Sequence, residues 1–70
     1  MMPLVFANPE EEKIIQRVSG SAEVKKHLEN LGFVAGSTVK IINMISGNII
    51  VQVKEARVAI SKELAQKIFV

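Results

Sequence analysis

The chain has no cysteine, no tryptophan and no tyrosine, and it carries one histidine and two prolines in 70 residues. The missing thiols exclude disulfides, thiolate metal sites and cysteine nucleophiles, so packing alone must stabilise a domain of this size. Aromatic side chains are limited to Phe6, Phe33 and Phe69. The net charge is only +2, and Lys25-Lys26 is the one adjacent basic pair. Nucleic-acid binders concentrate Lys and Arg on one face and add stacking aromatics, so this composition weighs against such a partner. No apolar run approaches the ~20 residues that a membrane-spanning helix requires. Met1–Ala7 is too short for a signal peptide, which makes a cytoplasmic location the expectation.

What is present is apolar and periodic. Hydrophobic residues make up 49% of the chain and charged residues 23%, a globular balance in a single domain covering residues 1–70. After a turn at Asn8-Pro9, Lys13–Val18 reads as a first strand, with inner and outer faces left ambiguous by the adjacent Ile14 and Ile15. Ser21 is a predicted N-cap, with Glu23 favourably placed in the first turn of the helix. Val24, Leu28 and Leu31 then recur on one helical face. Gly32 stands where a left-handed residue ends a helix, and Val34-Ala35-Gly36-Ser37 fits a type II turn with Gly36 at the positive-φ position. Both glycines are therefore structural.

Thr38–Ile45 and Ile49–Lys54 read as the next two strands. Val39 and Ile41 share one face of the first, and Ile49, Val51 and Val53 one face of the second. Bringing both sets inward predicts a loop with an odd number of residues, Ser46-Gly47-Asn48. Ile45 then faces Ile49, Ile41 faces Val53 and Val39 lies near Glu55. Outside, Met44 pairs with Ile50, Ile42 with Gln52 and Lys40 with Lys54. Glu55-Ala56-Arg57 reads as a reversal into a strand with Val58 and Ile60 inward. Ser61 caps a helical turn contributing Leu64, Ala65 and Ile68, and Ile68–Val70 closes a fifth strand. The expected fold is mainly β: a small, partly open barrel of five short strands. One short helix lies between strands one and two, and a helical turn precedes the last strand.

Candidate sites are few. His27 lacks a second imidazole or thiolate, and Glu10-Glu11-Glu12 reads as a solvated turn, so no metal site is expected. No nucleophile–base pair or phosphate loop can be assembled, so neither an enzyme nor a cofactor is expected. The outer cluster Ile42, Met44 and Ile50 is the leading candidate for binding a partner or a second copy, with Pro3–Phe6 as an alternative cover. Leu28 and Phe33, at the helix and corner, are the second candidate surface.

The stretch LGFVAGSTVKI, followed by VQVKEARVAISKELAQKI, resembles the FeoA family. Leu31, Gly32, Phe33 and Gly36 match that family's corner. Val58, Ala59 and Ile60 match its strand, and Ala65 and Ile68 its short helix. The likeness runs from about Asn8 to Val70. Ala35 replaces a usual proline, and Glu10 a usual glycine. The resemblance implies an SH3-like barrel and an accessory role in bacterial ferrous iron uptake. It also implies an interaction module on the GTPase-bearing cytosolic part of a FeoB-type membrane transporter, without insertion into the membrane itself. Such a partner would hold the chain at the periphery of the inner membrane. The alternatives are a nucleic-acid-associated SH3-like domain and a free-standing relative of a metal-dependent repressor's C-terminal domain.

Overall fold

The computed structural model describes residues 1–70. In it, the stretch expected as one strand divides in two: β1, Glu12–Ile14, and β2, Arg17–Val18. The two isoleucines mark the break. Ile14 is 56% exposed, whereas Ile15 is buried. The Ile15 N–H donates to the Ser37 carbonyl, and the next residue, Gln16, donates to the Phe69 carbonyl. The chain thus leaves one sheet and joins another within two residues, which is how a small barrel turns a corner.

Six strands result instead of five. After β2 come α1 (Ala22–Asn30), β3 (Thr38–Ile45), β4 (Asn48–Val53), β5 (Ala56–Ser61), α2 (Lys62–Ala65) and β6 (Ile68–Phe69). One sheet has the order β1-β3-β4-β5, and the other pairs β2 with β6. All pairings are antiparallel. A 3-10 turn at Leu4–Phe6 precedes them. Met2 and Val70 exchange both backbone bonds, at 2.9 and 2.8 Å, so the amino-terminal segment lies along β6. Leu4 from this segment is fully buried.

The β3–β4 register corrects the expected loop. Only Ser46 and Gly47 lie between the paired residues Ile45 and Asn48, and both have positive φ, 41° and 85°. That is a two-residue type I′ turn. Near the turn, Met44 faces Ile49 and Asn43 faces Ile50; beyond a bulge at Ile42, Ile41 faces Val51 and Val39 faces Val53. The bulge supplies the extra residue that the parity argument had placed in the loop. Alternation identifies Val39, Ile41, Ile49, Val51 and Val53 as buried, but their cross-strand partners differ, and Ile45, expected opposite Ile49 on the inner face, instead pairs with Asn48 and is 50% exposed.

The reversal into β5 is also two residues, Lys54-Glu55, between the paired Val53 and Ala56. Both residues have positive φ, 49° and 66°. Type I′ turns favour Asn-Gly, because other side chains crowd the backbone there. The double variant Lys54→Asn, Glu55→Gly is expected to gain about 1 kcal/mol, with relief of strain partly offset by glycine's greater freedom in the unfolded chain. Chemical denaturation checks this; an unchanged midpoint would mean the native side chains make compensating interactions.

Thirteen buried residues, all apolar, form one core: Leu4, Ala7, Ile15, Leu28, Phe33, Val39, Ile41, Ile49, Val51, Val53, Ile60, Ala65 and Ile68. No buried side-chain polar atom lacks a hydrogen bond. The Ser61 hydroxyl accepts from the Leu64 N–H at 3.2 Å and caps α2. Arg17 stacks over its cross-strand partner Phe69, 4.9 Å from the ring centre, and ties β2 to β6.

Candidate functional site

The most informative surface is the corner after α1, and local chemistry builds it. The Ser21 hydroxyl accepts from the Val24 N–H at 3.3 Å and starts the helix. At the other end, Gly32 has φ +108°. Its N–H donates to the Glu29 carbonyl at 3.0 Å, and the Phe33 N–H donates to the Leu28 carbonyl at 2.9 Å. This pair of bonds is a Schellman closure, accompanied by the burial of Leu28 and Phe33 in the core. The Ser37 N–H then donates to the Val34 carbonyl at 3.1 Å, with Gly36 at φ +92°. The geometry matches the expected type II turn.

Between α1 and this corner lies a groove of about 200 Å³, lined by Val18, Lys25, Glu29, Phe33, Val34 and Ala35. Its floor is apolar, and Lys25 and Glu29 stand on the helix side. Leu28 and Phe33 themselves are 0% and 1% exposed, so they support this surface from beneath. Leu28 and Phe33 point to the corner in the sequence, whereas Val18, Lys25, Glu29, Val34 and Ala35 are not singled out there. The adjacency of Val34-Ala35 to the turn was the available signal.

The outer-sheet candidates do not assemble as expected. Asn43, not Met44, lies opposite Ile50; Met44 is set opposite the buried Ile49 and shares its face. Ile42 is the bulge residue, and both Ile42 and Ile50 are half-buried. Met44 and Ile45 are 44% and 50% exposed near the hairpin tip. The bulge reverses the alternation beyond Ile42 and so separates Met44 from Ile50.

Elsewhere the outer face is polar. Glu12, Lys40, Gln52 and Arg57 form one row across four strands. A depression of about 380 Å³ is lined by Glu12, Ser37, Thr38, Lys40, Gln52, Lys54 and Glu55, with no apolar residue. The molecule's ion pair joins Lys13 and Glu11 at 2.7 Å. The Lys13 ammonium, by hydrogen bond and then by charge, holds the Glu11 carboxyl below its ordinary range, and a weaker hydrogen bond from Asn8 adds to this. The resulting stabilisation is present above the ordinary Glu range and is lost as pH falls through the lowered value. The pair lies at the surface, open to solvent, which makes its contribution small and salt-sensitive. His27 is exposed on α1, and no three His, Asp or Glu side chains converge as a metal-binding group.

Comparison with known proteins adds to this geometry. The FeoA domain family model matches residues 2–70. The chain belongs to the FeoA family. It is 34% identical to an Fe(2+) transport protein A of Methanocaldococcus jannaschii, over all of this chain and 85% of that protein. A crystal structure of an iron uptake regulatory protein (FeoA) superposes with a TM-score of 0.88 at 26% identity, covering 96% of this chain and 91% of that one. The zinc-complexed FeoA of Stenotrophomonas maltophilia, described as a prokaryotic SH3 domain protein, superposes with a TM-score of 0.85 at 21% identity, covering 99% and 88%. The fold is therefore SH3-like. One departure from the family pattern now has a structural consequence. Glu10, at the position of a usual glycine, has φ 66° and donates its N–H to the Ile41 carbonyl at 2.8 Å, next to the bulge. This non-glycine residue accepts a left-handed conformation to bring the amino-terminal turn onto β3.

Proposed function

We propose that this chain is a non-catalytic accessory protein of ferrous iron uptake that docks on the GTPase-bearing cytosolic part of a FeoB-type transporter. Family membership over residues 2–70 supports the iron-uptake setting. The observation that carries the docking reading is the apolar-floored groove at the corner. It is held open by a capped helix end and a hydrogen-bonded turn, and it has a charged residue of each sign on one wall. Preformed concave apolar surfaces with a few polar groups suit partner side chains. No helix is long and apolar enough to cross a membrane.

The test is calorimetric titration of the transporter's cytosolic domain with two variants. Ala35→Glu places a carboxylate in the groove at an exposed turn position. It is expected to weaken binding at least ~10-fold, the equivalent of one lost anchor contact, without changing the unfolding midpoint. Ile50→Glu with Asn43→Lys sets opposite charges across the observed β3–β4 pair and tests the outer sheet. It is expected to bind as the parent does. Loss in the second variant alone would move the contact to Ile42 and Ile50; parental affinity in both would refute docking at either surface.

A further inference from the structure

We propose that the free edge of β5 is a strand-addition site for an extended segment of another protein, one with apolar β-branched residues on one face and an acidic and an aromatic residue on the other. β5 ends its sheet, and its six residues pair with β4 without a break, from Val53↔Ala56 to Asn48↔Ser61. In a two-residue hairpin the pair flanking the turn is hydrogen-bonded and the pairs alternate from there. The bonded pairs are therefore Val53/Ala56, Val51/Val58 and Ile49/Ile60. The N–H and C=O groups of Arg57 and Ala59 consequently face away from β4. Neither residue makes any backbone hydrogen bond outside the ladder.

The other edges are short or occupied. β1, at the opposite end of the sheet, has three residues, and the outer side of β6 is taken by the amino-terminal segment, through Pro3 and Met2. Open edges are normally blunted by proline, bulges, covering segments or repeated charge. β5 contains no proline and no bulge, and Ala56 and Ala59 are exposed with side chains too small to screen the backbone.

The side chains specify the occupant. Arg57 is exposed on the outer face beside Gln52 and has no carboxylate partner. An acidic residue opposite it would supply one. Val58 is half-buried on the core face, which favours a β-branched apolar neighbour. Ala59 leaves room beside the half-buried Ile50 for a larger ring. A second copy fits less well: antiparallel pairing of β5 with itself about Val58 sets each Arg57 opposite Ala59 and brings neither guanidinium a carboxylate. This site is independent of the groove proposed above.

The probe is the acetylated and amidated peptide Thr-Val-Tyr-Val-Glu-Val-Thr, titrated into isotope-labelled protein and followed by backbone NMR and amide exchange. Saturable shifts at Arg57, Val58, Ala59 and Ile50 are expected, with at least ~10-fold slower exchange of the Arg57 and Ala59 amides, since pairing removes them from solvent. Arg57→Glu should weaken binding at least ~10-fold, and a peptide with Lys in place of Glu should restore it. Ala59→Pro removes an outward donor while sparing the β4 ladder, so it should abolish pairing in a folded protein. The proposal is overturned if no saturable shift appears, if the shifts fall at the α1 groove, or if both variants bind as the parent does. It is also overturned if Arg57 and Ala59 become protected with rising protein concentration alone, because the occupant would then be a second copy.

Discussion

Phe33→Ala is expected to lower the unfolding free energy by about 3–5 kcal/mol, the cost of deleting a buried ring and leaving a cavity. Phe33 is 1% exposed and is the residue whose N–H closes the end of α1 on the Leu28 carbonyl. Its ring and the Leu28 side chain share the core, so truncation loosens the helix end and the barrel together. At roughly 0.05–0.15 kcal/mol per residue, a 70-residue domain has a total stability of about 3.5–10 kcal/mol. The loss would therefore remove between about a third and all of that stability. Phe33→Leu, which retains more apolar volume, should cost clearly less. Urea titration of both variants separates the cases: a Phe33→Ala midpoint near the parent's would mean the corner is not packed as described.

Gly36→Val is expected to cost about 1–3 kcal/mol, and the cost should be conformational. A Cβ at Gly36 would meet nothing within 4 Å, so no clash contributes. The obstacle is φ +92°, which a β-branched residue resists strongly. The Gly36 N–H donates to the Ile15 carbonyl at 2.8 Å, so relaxing the turn would also disturb the junction where the chain passes from β1 to β2. Gly36→Asn should cost less, because asparagine visits the left-handed region more readily. Equal losses for Val and Asn would count against backbone conformation as the origin of the cost. An unchanged midpoint for Val would contradict the type II turn.

The groove and the β5 edge show why the site was harder to read than the fold. Leu28 and Phe33 stood out in the sequence because they flank the corner, yet a corner that closes a barrel needs its largest side chains inside. The surface then falls to their neighbours Val34 and Ala35, whose only signal in the sequence is their place beside the turn. The β5 edge depends on hydrogen-bond phase, which is set by the length of the Lys54-Glu55 turn and is invisible to side-chain periodicity.

Local signals in the sequence were enough to determine the helix caps at Ser21 and Ser61, the helix stop at Gly32, the turn at Gly36, and the inward set Val39, Ile41, Ile49, Val51, Val53 and Ile60. Each rests on chemistry within a few residues or on an alternation that survives either register. Tertiary structure alone decided three things: the transfer of the chain between sheets at Ile15-Gln16, the bulge at Ile42 and the side of the sheet that Met44 occupies. Side-chain alternation specifies parity, and a two-residue loop with one bulge has the same parity as a three-residue loop without one. Only the packing of the hairpin against the rest of the barrel distinguishes them, because there the Ile41 carbonyl must also meet the Glu10 N–H.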